Sequence, residues 1–159
     1  MCDCLVALGP ATAGGATLFA KNSDRPPAEV QVLEWFPPRR EPVTQATHLV
    51  IDGHRCANRT TIPGFDAQPR HPRQPVDRLV DPRLAATDRV LAAGPLTCDA
   101  VTAHLRSHAG GDGGCSVCMH AAGVQVTAAS MVAELPVDGP SRVWTVQGSP
   151  CERGYERSW

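Results

Sequence analysis

The stretch MCDCLVALGP (1–10) and its continuation GGATLFAKNSDRP (14–26) set the architecture of this chain. Residues 3–9 form a short apolar run that ends at Gly9-Pro10, and Ala16–Lys21 form a second one after the turn signal Gly14-Gly15. Two short apolar runs joined by a glycine-rich connection predict a β-hairpin. Antiparallel partners reverse direction, so this hairpin carries the polar cluster Lys21-Asn22-Ser23-Asp24-Arg25 back toward Cys2.

Further along, Val30–Phe36 alternates and predicts another strand, and Thr47–Asp52 predicts a fourth. Between Ile62 and Pro82 the character changes, with prolines at 63, 69, 72, 75 and 82 and little periodic apolar pattern. Each proline pushes its predecessor toward extended backbone, which is loop or linker chemistry. Asp81-Pro82 then reads as a helix start, with Leu84, Val90 and Leu91 on one side and a stop at Gly94-Pro95. Thr97 predicts the cap of a second helix on which Val101, Leu105 and His108 share a face before Gly110-Gly111. Three strand-like runs close the chain, Ser116–His120, Val124–Leu135 and Arg142–Val146, the first two pairing through Ala121–Gly123. Strands, then helices, then strands predict an α+β domain with antiparallel sheet.

The composition agrees with one globular domain spanning 1–159. Of the 159 residues, 42% are hydrophobic and 19% charged, and only 4% are aromatic, so the core must rest on Val, Leu and Ala. A net charge of −1 lacks the basic footprint that a phosphate backbone requires, which excludes nucleic acid as a partner. No apolar run approaches the roughly 20 residues needed to span a bilayer. No charged-then-apolar leader develops after Met1-Cys2-Asp3, so membrane partners are not expected and a cytoplasmic location is. The seven cysteines are an odd number without an export signal, which favours reduced thiols over a disulfide framework.

Cys2 is the most informative residue. Removal of Met1 would expose it as the N-terminal residue, placing a thiol (reference pKa about 8.5) and an α-amine (about 7.7–8.0) on one residue. The amine can then take the thiol proton without a separate histidine. A carboxylate at Asp24 can orient that amine, while Asn22 and Arg25 can hold a carbonyl or carboxylate. The motif Cys115-x-x-Cys118-x-His120 permits a metal site in principle, but only one such knuckle exists and Cys115 would leave the shared strand face. Packed core residues are the reading preferred there, with no metal and no cofactor assigned. His48, His54, His71, His104 and His108 sit in ordinary contexts, the last two four apart on one helix face.

Met1-Cys2-Asp3, Leu5-Val6-Ala7-Leu8 and Phe19–Pro26, with Glu29, Gln31 and Val32 beyond, resemble the start of secernins. These belong to a family of cysteine dipeptidases that are N-terminal-nucleophile hydrolases. Ser116–His120 and Thr127–Val132 resemble a segment near the end of those proteins. The resemblance covers a block at 1–52 and a block at 80–150. The long middle of such proteins has no counterpart here, its place being taken by a Pro-rich junction at 53–79. It implies a partial αββα fold and hydrolysis of peptide amide bonds through a thioester on Cys2. It implies catalytic roles for Cys2, Asp24 and Asn22 and substrate contacts from Lys21 and Arg25, with a small peptide as substrate. Missing sheet strands would leave open edges, so either a homo-oligomer or a marginally stable chain is expected. The alternative is a non-catalytic remnant that binds a peptide or protein partner.

Overall fold

The computed structural model describes residues 2–31, 81–109, 114, 116–121 and 123–158. In chain order the elements are β1 (Cys2–Ala7), β2 (Thr17–Arg25), α1 (Asp81–Ala92), α2 (Cys98–Leu105), β3 (His120–Ala121), β4 (Gln125–Leu135), β5 (Arg142–Gln147) and β6 (Glu156–Arg157). A single 3-10 turn at Gly9–Ala11 follows β1. The strands form one antiparallel sheet in the order β1-β2-β4-β5-β6, with β3 also pairing to β4. The architecture is therefore α+β with antiparallel sheet. Among the described residues no helix is long and apolar enough to cross a membrane.

The sheet has two unlike faces because side chains alternate along each strand. Leu5, Ala7, Leu18, Ala20 and Val132 point to the face covered by the helices, where they pack with Leu96, Val101 and Leu105. Ala20 has no solvent exposure, and its small side chain allows close approach of α2. Phe19, Lys21, Ser23 and Arg25 occupy the other face with Cys2, Cys4 and Val6. Small residues thus do fill the core, as the low aromatic content requires.

The β1–β2 hairpin forms in the expected place, with Cys2 opposite Ser23 and Asp3 opposite Asn22. Thr97 caps α2, its hydroxyl accepting a hydrogen bond from the Ala100 amide at 3.1 Å. β3 and β4 pair as expected, with His120 opposite Val126.

Three expectations need correction. First, α2 ends at Leu105 rather than at Gly110-Gly111, so His108 shares no helix face with His104. In a continuing helix the Leu105 carbonyl would accept from the Ala109 amide. Here it accepts from Asn22 Nδ2 at 2.9 Å, and the Ser107 and Ala109 carbonyls accept from the amides of Cys118 and Val117. Second, Ser116–Met119 is not strand. Its backbone is satisfied locally, with the Ser116 hydroxyl donating to the Cys118 carbonyl at 2.7 Å and Asn22 Nδ2 to the Val117 carbonyl at 2.8 Å. Third, Val30 and Gln31 are outside any strand. The rest of that expected strand, the one at Thr47–Asp52 and the junction at 53–79 lie outside the described residues. The second sheet and outer helical layer of an αββα fold are not among the described elements either.

Candidate functional site

The two edges of the hairpin bring together every residue singled out between positions 2 and 25. Strand alternation divides them between the faces. On the helix-covered face stand Asp3, Asn22 and Asp24, and on the other face stand Cys2, Lys21, Ser23 and Arg25.

On the outer face, Arg25 Nη1 donates to Cys2 Sγ at 3.4 Å, and the Ser23 hydroxyl lies 4.0 Å from the same sulfur. Arg25 is itself held by Glu29, one turn of chain further on, at 2.9 Å. Lys21 stands opposite Cys4, one alternate step along from the Cys2–Ser23 pair. A half-buried thiol therefore has one guanidinium in contact with it, with Lys21 further along the same face beside Cys4.

On the helix-covered face, Arg83 of α1 reaches the sheet and places one nitrogen 3.0 Å from Asp3 Oδ2 and 3.2 Å from Asp24 Oδ2. Arg83 and Asp24 are both buried, at 3% and 0% exposure. The Thr127 hydroxyl donates to the other Asp24 oxygen at 2.8 Å. That contact depends on a bulge. Between Ser23 and Asp24 the β2–β4 register skips Ala128, so Thr127 turns to the same face as Asp24. Without the extra residue, alternation would point Thr127 the other way.

Burial pushes the Asp24 carboxyl above its usual range, partly offset by the Thr127 hydrogen bond and by the charges of Arg83 and the amino terminus. Burial likewise raises Asp3 to about 6, against the Arg83 charge that pulls it down, with the Asp24 carboxylate adding to the rise. A carboxyl raised on folding binds its proton more tightly in the native state, so stability is lost as pH rises from about 4 through about 6. Asp3→Asn is expected to flatten that decline in thermal melts recorded between pH 4 and 7. An unchanged pH profile would show that Asp3 is not its source.

Asn22 is fully buried, and both of its Nδ2 contacts go to backbone carbonyls, of Leu105 and of Val117. Its Oδ1 has no hydrogen-bond partner among the described residues. The side chain thus ties β2 to the end of α2 and to the loop before β3. Asn22→Ala strands two buried carbonyls and is expected to cost about 2–4 kcal/mol, read as a lower denaturant midpoint. A midpoint equal to wild type would contradict this tie.

Sequence reasoning missed Arg83 and Thr127. Arg83 lies 59 residues from Asp24, at the start of α1, and only tertiary packing brings the two together. A cleft of about 340 Å3 lined by Leu18, Leu96, Cys98, Glu134 and Trp144 opens at the far end of β2, away from Cys2.

A second polar cluster stands where the α2–β3 loop meets the turn after β5. His120 Nε2 lies 3.5 Å from Cys118 Sγ and 3.0 Å from Cys151 Sγ, and the His108 and His120 rings meet edge to face at 5.0 Å. Cys118 and His120 meet through the loop before β3 rather than on one face of a strand, since Ser116–Met119 is not strand, whereas Cys115 lies outside the described residues. Burial pushes the Cys118 thiol up to about 12. His104 sits apart from this cluster, buried against the Thr87 hydroxyl at 3.0 Å, and burial lowers its pKa. No protein-family model matches the sequence, and no solved structure matches the chain.

Proposed function

We propose that this chain is a secernin-like, N-terminal-nucleophile hydrolase that cleaves peptide amide bonds through Cys2, in a cytoplasm that keeps its thiols reduced. The observation that carries the reading is the hairpin register, which sets Cys2 opposite Ser23 with Arg25 Nη1 3.4 Å from its sulfur and Lys21 on the same face.

Once Met1 is removed, the Cys2 α-amine takes the thiol proton and the sulfur attacks the substrate carbonyl carbon. The carbonyl electrons move onto oxygen, giving a tetrahedral oxyanion. Collapse breaks the C–N bond, and the leaving amine takes the proton held by the α-ammonium. A water molecule then attacks the thioester by the same route and releases the acid. Arg25 and Lys21 supply positive charge for the oxyanion or for the terminal carboxylate of a short peptide. Asp24 acts through the amine, because its carboxylate and the Cys2 sulfur occupy opposite faces of the sheet. The hairpin register, with Cys2 opposite Ser23, sets the backbone of Asp24 one residue past the partner of Cys2, which supports that role. Asn22 is a positioning residue in this scheme, since its amide protons serve backbone carbonyls.

The test is release of amino acids from a panel of dipeptides by wild type and by Cys2→Ser. Hydrolysis lost in the variant supports the proposal. Peptide binding without hydrolysis by either protein would instead identify a non-catalytic remnant.

A further inference from the structure

We propose that His108, Cys118, His120 and Cys151 form a structural zinc site. Their four ligand atoms all lie within 4.8 Å of one another. Zinc binds sulfur at about 2.3 Å and histidine nitrogen at about 2.0–2.1 Å, so a tetrahedron of two of each needs ligand atoms about 3.3–3.8 Å apart. The His120 nitrogen is already 3.5 Å from one sulfur and 3.0 Å from the other. The remaining separations are at most 4.8 Å, within about 1–1.5 Å of the edges of that tetrahedron.

The donor set also selects the metal. Two thiolates and two imidazoles suit zinc and disfavour calcium and magnesium, which take oxygen ligands. On binding, the two thiols give up their protons to solvent, and Zn2+ with two thiolates and two neutral imidazoles makes a centre of zero net charge. Such a centre can sit against the buried Cys118, which has 0% exposure. Four protein ligands leave no open position for substrate, so the role is structural rather than catalytic.

The surrounding backbone is built to hold these positions. The Cys118 amide donates to the Ser107 carbonyl at 2.9 Å and the Val117 amide to the Ala109 carbonyl at 3.2 Å, which clamps the two strands of the loop on either side of His108. The Met119 amide donates to the Thr127 hydroxyl at 2.8 Å, fixing the segment between Cys118 and His120. Cys151 enters from a turn closed by the Glu152 and Arg153 amides on the Ser149 carbonyl, next to the fully buried Pro150. His108 is exposed and gives the ion its route in. A bound ion would link the α2–β3 loop to the β5–β6 turn, two segments joined by no strand ladder among the described residues.

The full-length protein, stripped of metal under reducing conditions, would be titrated with zinc and separately with cobalt. The expected result is one zinc ion per chain. The cobalt form should show the intense visible bands of tetrahedral coordination and the near-ultraviolet absorption of thiolate ligation. Zinc should also raise the melting temperature in a concentration-dependent way. Cys118→Ser and Cys151→Ser should each at least halve the thiolate absorption, the double variant should abolish it, and His108→Ala should weaken zinc at least tenfold. Cys4→Ser, on the other face of the sheet, should change nothing. Absence of metal uptake by wild type would overturn the proposal, and this readout does not depend on whether any variant folds. Undiminished bands in both folded cysteine variants would overturn it as well, by placing the ion elsewhere. Neither outcome bears on Cys2.

Discussion

Arg83→Met is expected to be the most damaging single substitution for folding, costing about 3–5 kcal/mol at neutral pH. The side chain is 3% exposed and sets one nitrogen 3.0 Å from Asp3 and 3.2 Å from Asp24, itself fully buried. Methionine keeps most of the apolar stem and removes the charge, so both carboxylates lose the guanidinium while staying in place. A loss of that size is a large share of the roughly 5–15 kcal/mol that holds a domain together, and corresponds to a drop in Tm of about 10 °C. The pH dependence is diagnostic. Both carboxyls are already raised by burial, and loss of the cation raises them further. Acidification toward pH 5 should then restore part of the stability, because protonation removes the charges that have lost their partner. Asp3→Asn in the Arg83→Met background should restore part of it at neutral pH, as neighbouring sites couple. A variant with wild-type stability at pH 7.5 would show that Arg83 does not anchor α1 to the sheet.

The second large effect concerns chemistry. Cys2→Ser is expected to lower dipeptide hydrolysis by at least about a thousandfold, equivalent to about 4 kcal/mol of transition-state stabilisation. Serine keeps the α-amine and nearly the shape of the side chain, but its hydroxyl is a far weaker nucleophile than a thiol. Stability should change little, since Cys2 is half-buried and contributes no core packing. Arg25→Ala should lower the rate while leaving the fold intact, because Arg25 is part-exposed and meets the Cys2 sulfur, the neighbouring Asp24 carbonyl and the exposed Glu29 rather than the core. Equal rates for wild type and Cys2→Ser would exclude the thioester route.

The parts of the molecule legible in the sequence are those specified by local chemistry. Gly14-Gly15 between two apolar runs announced the β1–β2 hairpin, Thr97 announced the start of α2, and the pairing of β3 with β4 followed from the turn at 121–123. The hairpin in turn placed Asn22, Asp24 and Arg25 at the Cys2 end of the sheet. What escaped depends on contacts between distant segments. The end of α2 is decided by Asn22, which takes the Leu105 carbonyl from 83 residues away. The Thr127–Asp24 hydrogen bond depends on the extra residue Ala128, which leaves no compositional trace. Arg83 meets Asp3 and Asp24 only through the packing of α1 on the sheet. Cys151 joins Cys118 and His120 only because β5 returns the chain to them, so no short motif could reveal the four-ligand cluster.

The account rests on Cys2 acting as an N-terminal residue with a free amine, and an intact-mass measurement tests that most directly. The purified protein would be weighed before and during turnover of a dipeptide, the latter sample quenched in acid. The predicted result is a chain lighter by one methionine residue, with an acyl adduct on the Cys2 peptide in the quenched sample. Quantitative retention of Met1 would leave Cys2 in amide linkage, without the base this mechanism requires, and would contradict the account.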